Sequence, residues 1–169
     1  MVLDGLKYLV TVDYFSKFIE VNNVSDEKSA TVINVLKQQF ARYGIPEEII
    51  SDNGQEFASY EFKSFSRAYH IEHTTSSPRY PQSNGLAKRS VQTVKRLFKK
   101  ARDDGKDPYL ALMELRNIPI TGIELSPSQL LLGRATRTTL PAKRTQLNPL
   151  GFEPCAIKSS LEEQKARQK

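Results

Sequence analysis

The sequence predicts an α/β fold, a mixed sheet flanked by helices, and three observations point there. β-branched and aromatic residues crowd the stretch up to Val24, interrupted by turn residues. Helical and strand periodicities then alternate as far as Thr75. From Leu86 onward the pattern is helical and basic. Strands first, then strands alternating with helices, describe a β-meander feeding an α/β arrangement.

Asp4-Gly5 is a hairpin-turn dipeptide. A hairpin needs a strand on each side, so Met1, Val2 and Leu3 read as the end of a first strand, and the chain is expected to be clipped within it. Residues 8–12 and 18–21 follow as β-rich runs joined through "DYFSK". Residues 29–43 read as a helix with Ile33, Leu36, Phe40 and Tyr43 at helical spacing, stopped by Gly44 and Pro46. "EEIIS" is a short buried strand that runs into the turn Asp52-Asn53-Gly54. A second helix over 60–69 is capped by Ser59 and buries Phe62, Phe65 and Tyr69. "IEHTT" is another strand, and "SSPRYPQSNG" is a loop without periodicity.

The long helix covers residues 86–102 on a core stripe of Ala87, Val91, Val94, Phe98 and Ala101. Asp107-Pro108 starts a further helix reaching Asn117, and Ser126-Pro127 repeats that grammar up to Gly133. Beyond Leu140 the chain turns polar, and "SLEEQKARQK" reads as a partial charged helix or a frayed tail. The expected organisation is one domain over 1–141 and a polar tail over 142–169.

Charge divides the chain more sharply than its total of +6 suggests. Residues 1–75 hold 7 Lys/Arg against 11 Asp/Glu, and residues 76–169 hold 18 against 8. A half so basic points to a polyanionic partner, nucleic acid above all. One cysteine, Cys155, excludes an internal disulfide framework and fits a reducing compartment. With only His70 and His73 beside it, a Cys/His zinc module is not available. No apolar run approaches the roughly 18–20 residues that span a bilayer. Asp52, at the end of a buried strand, stands where α/β sheets gather functional groups; it reads equally well as the cap of its own turn.

Four stretches, in order, carry a resemblance: "YLVTVDYFSKFIEV", "FARYGIPEEIISDNGQEF", "HTTSSPRYPQSNGLAKRSVQTVKRL" and "SPSQLLLGRATRTTLP". They resemble the integrase catalytic cores of gypsy-type long-terminal-repeat retrotransposons, over residues 3–141. The resemblance implies a ribonuclease-H-like fold whose first, central strand is largely missing here, and a triad of two aspartates and a glutamate. It implies magnesium or manganese, which sharpen a water or a DNA 3′-hydroxyl as nucleophile and stabilise the leaving oxygen. Magnesium takes oxygen ligands in near-octahedral geometry, so the family needs carboxylates at these positions.

Carried over residue by residue, the triad is incomplete. Asp52 of "DNG" matches the middle aspartate. The glutamate belongs after thirty-five intervening positions, residues 53–87, and the residue there is Lys88. The first aspartate belongs to the strand before Asp4-Gly5. Asp13 matches a block whose aspartate is not a ligand in the family, and Asp4 matches the turn. A cation roughly 4 Å from an ammonium, at an effective dielectric near 20, loses about 4 kcal/mol per unit of charge product, and a dication about twice that. Stable metal binding is therefore not expected, and Asp52 stands as one ligand of an incomplete site.

From Lys88, helical spacing aligns Gln92, Lys95, Lys99 and Arg102 on one face. The resemblance puts Gln92 and Lys95 at DNA-contacting positions. Phosphate contacts of this kind give salt-dependent affinity with little sequence preference. Gln82, Ser83 and Asn84 add polar groups from the preceding loop, and Tyr80 adds a ring that stacks on a base or packs. The leading expectation is a retrotransposon-derived integrase-core domain that binds DNA and is catalytically inactive. An alternative is a fragment of an integrase, a metal-dependent DNA strand transferase, whose upstream strand is missing and whose Lys88 is a point lesion. A second is a non-enzymatic dimerisation or protein-interaction module, so a homodimer is a possible partner beside DNA. The resemblance favours the nucleus over the cytoplasm, with no membrane association.

Overall fold

Asp4 and Gly5 both take positive φ, 49° and 78°, the backbone that a two-residue hairpin loop demands. They join β1 (Val2–Leu3) to β2 (Leu6–Val12) in antiparallel register, Val2 opposite Lys7 and Leu3 opposite Leu6. β3 (Ile19–Val24) completes a three-stranded sheet in the order β1-β2-β3. This computed structural model describes residues 1–76 and 85–167. The chain divides into two compact units, Met1–Thr11 with Glu20–Gln92, and Val12–Ile19 with Thr93–Lys169.

In the first unit, α1 (Ser29–Tyr43) has the predicted boundaries, and the Gly44 N–H closes it on the Phe40 carbonyl at 2.9 Å. Of the expected stripe, Leu36 is buried and Ile33 and Phe40 pack half-buried against the core, while Tyr43 is exposed; Ser29, Val32, Val35 and Gln39 are buried as well. Gln39 goes in because its amide is satisfied, accepting from Thr11 Oγ1 at 3.0 Å and donating to Asn22 Oδ1 at 2.8 Å. Tyr43 stays at the surface, where its hydroxyl bonds the Glu20 carboxylate.

β4 (Glu48–Ser51) follows, then one helical turn, α2 (Gln55–Ala58), and α3 (Tyr60–Ala68). Ser59 caps α3 as its sequence implies, accepting from the Phe62 N–H at 3.0 Å. β5 (Glu72–Thr75) lies parallel to β4, with Ile49 opposite His73 and Ser51 opposite Thr75. The described strands form two sheets, of three and of two strands, in keeping with a first, central strand that is largely missing. β1 is two residues long and pairs only with the start of β2, so it has no length with which to bridge the two. Ile49 and Ile50 of β4, expected to be buried, are consequently half-buried. Val32, Leu36, Phe62, Phe65 and Ile71 form the core, with Leu9, Phe40, Ile49, Phe57 and Tyr69 against it. Phe62 is fully buried, edge-on to Phe57 at 5.2 Å and to Phe65 at 5.7 Å between ring centres.

α4 (Gly85–Asp103) is the long basic helix. Val94, Phe98 and Ala101 of its expected stripe are buried, and Ala87 and Val91 are half-buried. In the second unit it is followed by α5 (Pro108–Asn117) and α6 (Pro127–Leu132). Asp107 caps α5, and Ser126 with Gln129 makes a reciprocal capping box on α6 that ends at left-handed Gly133. Phe98 meets Tyr109 edge-on at 5.7 Å. The Arg116 guanidinium covers the Phe18 ring at 4.4 Å while its Nε donates to the Ile19 carbonyl at 2.9 Å. A short 3₁₀ turn (Arg144–Leu147) and α7 (Pro154–Arg167) end the described chain, so much of the polar tail is helical.

Candidate metal site and basic helix face

β4 delivers Asp52 at its carboxyl end, and the turn after it shapes what the carboxylate can do. Asp52 Oδ1 accepts the Gly54 N–H at 3.2 Å, so the side chain caps its own turn while remaining exposed. Glu56 folds back over the same turn: a Cβ added at Gly54 would lie 2.7 Å from its carboxylate atoms. Beneath it, buried Ser51 donates its hydroxyl to the Asp52 carbonyl at 2.8 Å and meets His73 Nε2 at 2.9 Å. The parallel β4–β5 register makes that contact possible. His73 is set against Phe62 at 4.8 Å, and burial, helped by Lys63, holds its imidazole below the usual histidine range.

Lys88 sits in the first turn of α4, exposed, as its neighbour Arg89 is. Asp13 is engaged elsewhere: its Oδ2 accepts the Ser16 N–H at 2.7 Å and the Ser16 hydroxyl at 2.6 Å. Asp4 forms the hairpin loop. Among the described residues, no group of three or more His, Cys, Asp or Glu side chains converges on a point where a metal ion could be held. Of the carboxylates expected of the triad, Asp52 is the one present among the described residues, at the end of β4, and Lys88 stands at the expected glutamate position.

Along α4, Lys88, Gln92, Lys95 and Lys99 are all exposed, whereas Arg102 is half-buried and has interactions of its own. A second exposed row, Arg89, Arg96 and Lys100, runs beside the first. The sequence reading missed that row, although its spacings of seven and four residues are the helical signal. Ser51, His73 and Glu56 were missed too, since only the folded register brings the first two together. Gln82, Ser83, Asn84 and Tyr80 lie outside the described residues. No helix among the described residues is long and apolar enough to cross a membrane.

This mixed α/β fold is that of retroviral integrase catalytic cores. Residues 3–81 match the integrase core domain family. An uncharacterized protein of Caenorhabditis elegans is 37% identical over 143 residues, covering 82% of this chain and 11% of that protein. Further relatives include the Gag-Pol polyprotein of walleye dermal sarcoma virus, of which the chain spans 8%. The simian T-cell lymphotropic virus intasome, solved in complex with the PP2A regulatory subunit B56 gamma, matches with a TM-score of 0.66 and 26% identity over 82% of this chain and 56% of that one. The catalytic core of human T-cell leukemia virus 2 integrase, solved in complex with magnesium, matches at 0.62 and 28% identity, over 76% and 88%. The chain thus spans about a tenth of the polyprotein-sized relatives and most of an isolated integrase core.

Proposed function

We propose that this chain is a gypsy-type, retrotransposon-derived integrase core, a domain of 1–141 with a tail of 142–169, that holds nucleic acid without catalysing strand transfer. The observation that carries this reading is Lys88: it keeps the register of the family's glutamate and heads an exposed row with Gln92, Lys95 and Lys99. A cation there repels the metals and attracts phosphate, so one substitution acts against catalysis and in favour of binding. The parallel row of Arg89, Arg96 and Lys100 widens the surface offered to a phosphate backbone. Arg102 lies at the half-buried margin of this proposed surface, and Gln82, Ser83 and Asn84 are proposed as further nucleic-acid contacts from the sequence alone.

Two measurements test the reading. Binding to a duplex oligonucleotide is expected to weaken steeply with added salt, and the Lys95→Glu/Lys99→Glu variant to bind at least about tenfold more weakly. Salt-independent affinity would count against phosphate contacts. Strand transfer with magnesium or manganese is expected to be absent from the chain as it stands. Lys88→Glu combined with an added upstream strand bearing an aspartate is the variant expected to gain it. Metal-dependent transfer by the unmodified chain would overturn the proposal. Gain of activity by Lys88→Glu alone would favour the reading of Lys88 as a point lesion in an otherwise working enzyme.

A further inference from the structure

Between Leu125 and Phe152 the chain carries Arg134, Arg137, Lys143 and Arg144 and not one acidic residue. Its path is set by two ties. The Asn117 side chain grips Thr136 like a strand partner: Nδ2 donates to the Thr136 carbonyl at 2.8 Å and to its hydroxyl at 2.9 Å, and Oδ1 accepts the Thr136 N–H at 3.0 Å. Further on, the Leu150 N–H donates to the Gly133 carbonyl at 2.7 Å, folding the segment back on the end of α6. Between these ties lies an open groove of about 780 Å³, lined by Met113 of α5, Leu140, Leu147 and their neighbours, with Arg137, Arg144 and Thr138 among its polar groups. Leu140 is 59% exposed, and among the described residues neither Arg137 nor Arg144 meets a carboxylate.

Apolar side chains interleaved with guanidinium forks are complementary to one kind of occupant. A phosphodiester backbone has nothing apolar to set against Met113, Leu140 and Leu147. Bases would need aromatic rings to stack on, and none of the described residues lining this groove supplies one. A protein segment with an apolar anchor and flanking carboxylates satisfies both halves, since arginine binds carboxylates in bidentate pairs and a buried anchor supplies most of the binding energy. We propose that this groove is a docking site for an acidic protein segment, seated by an apolar side chain among Met113, Leu140 and Leu147 and held by carboxylates on Arg137 and Arg144. The Asn117–Thr136 tie makes the site preformed, which lowers the ordering penalty of binding. This surface is distinct from the α4 face and does not depend on the function proposed for it.

The test uses the whole chain and a short fluorescein-labelled peptide in which glutamates flank two leucines, read by fluorescence anisotropy. Saturable binding is expected, reduced at least about tenfold in Arg137→Glu, Arg144→Glu and Leu140→Asp. Lys95→Glu/Lys99→Glu, on α4, is expected to leave it unchanged. All the altered side chains are at the surface, and circular dichroism checks that each variant is folded. The proposal is overturned if no peptide binding is seen, or if glutamine in place of glutamate binds equally well. It is equally overturned if an oligothymidylate displaces the peptide and itself loses affinity in the groove variants, which would make the occupant nucleic acid.

Discussion

In the first unit, Phe57, Phe62, Phe65 and Tyr69 interlock at ring separations of 4.8 to 5.7 Å, and the hydrogen-bonded Gln39 lies buried on the neighbouring helix face. In the second unit, beside the edge-on pair Phe98–Tyr109, directional polar links stand out: two capped helices, the Asn117–Thr136 pairing, and Arg116 closing over Phe18. Ring packing responds to volume and tolerates small changes of angle, whereas a polar link loses its value once one partner goes. The units should therefore fail to different substitutions, and amide hydrogen exchange distinguishes which of them has loosened.

The largest effect is expected from Phe62→Ala, which empties the centre of the aromatic cluster and should cost about 3–5 kcal/mol in urea titration, with exchange rising first in β4, β5 and α3. Asn117→Ala should cost about 1–3 kcal/mol by leaving the Thr136 N–H unpaired, and its exchange signature should stay within residues 93–167. A loss spread evenly over both units would collapse the contrast drawn here. A weaker, conditional effect attaches to His73. Burial depresses its proton affinity in the folded chain, so the unfolded chain binds the proton more readily. Its contribution to stability is complete above the ordinary histidine range and drains away as the pH falls through it. Urea midpoints measured from about pH 7.5 down to about pH 5 should decline in the parent chain and decline less in His73→Gln. The smallest effect is expected at Ser128, fully buried with its hydroxyl unpartnered among the described residues. Ser128→Ala should leave stability within about 0.5 kcal/mol or raise it; a marked loss would reveal a hidden partner.

What could be read from the sequence was local. Gly44, Ser59, Asp107, Ser126 and Gly133 mark helix ends through chemistry within a few residues, and each does its work where expected. The burial of Gln39 on α1 was not legible, because Thr11 and Asn22, which satisfy its amide, lie far away in sequence. The division into two sheets was legible only through the resemblance, which makes the short first strand a central one, since strand pairing is a long-range choice. α2, a single turn, is too short to show periodicity. At the candidate site, the resemblance pointed to Asp52 and Lys88, while the Ser51–His73 contact needed the parallel register of β4 and β5. Arg102 was placed by angle alone, which says nothing of what stands over the end of a helix.

The turn after β4 has one further consequence, for how this stretch can vary. Gly54 has an ordinary extended backbone, φ −57° and ψ 145°, so it does not require glycine; the space a Cβ would take is occupied by the Glu56 carboxylate. Positions 54 and 56 therefore form a linked pair. Alanine at 54 is admitted once the Glu56 side chain swings away or is shortened, and a mutational scan of either position alone will misjudge the tolerance of the other.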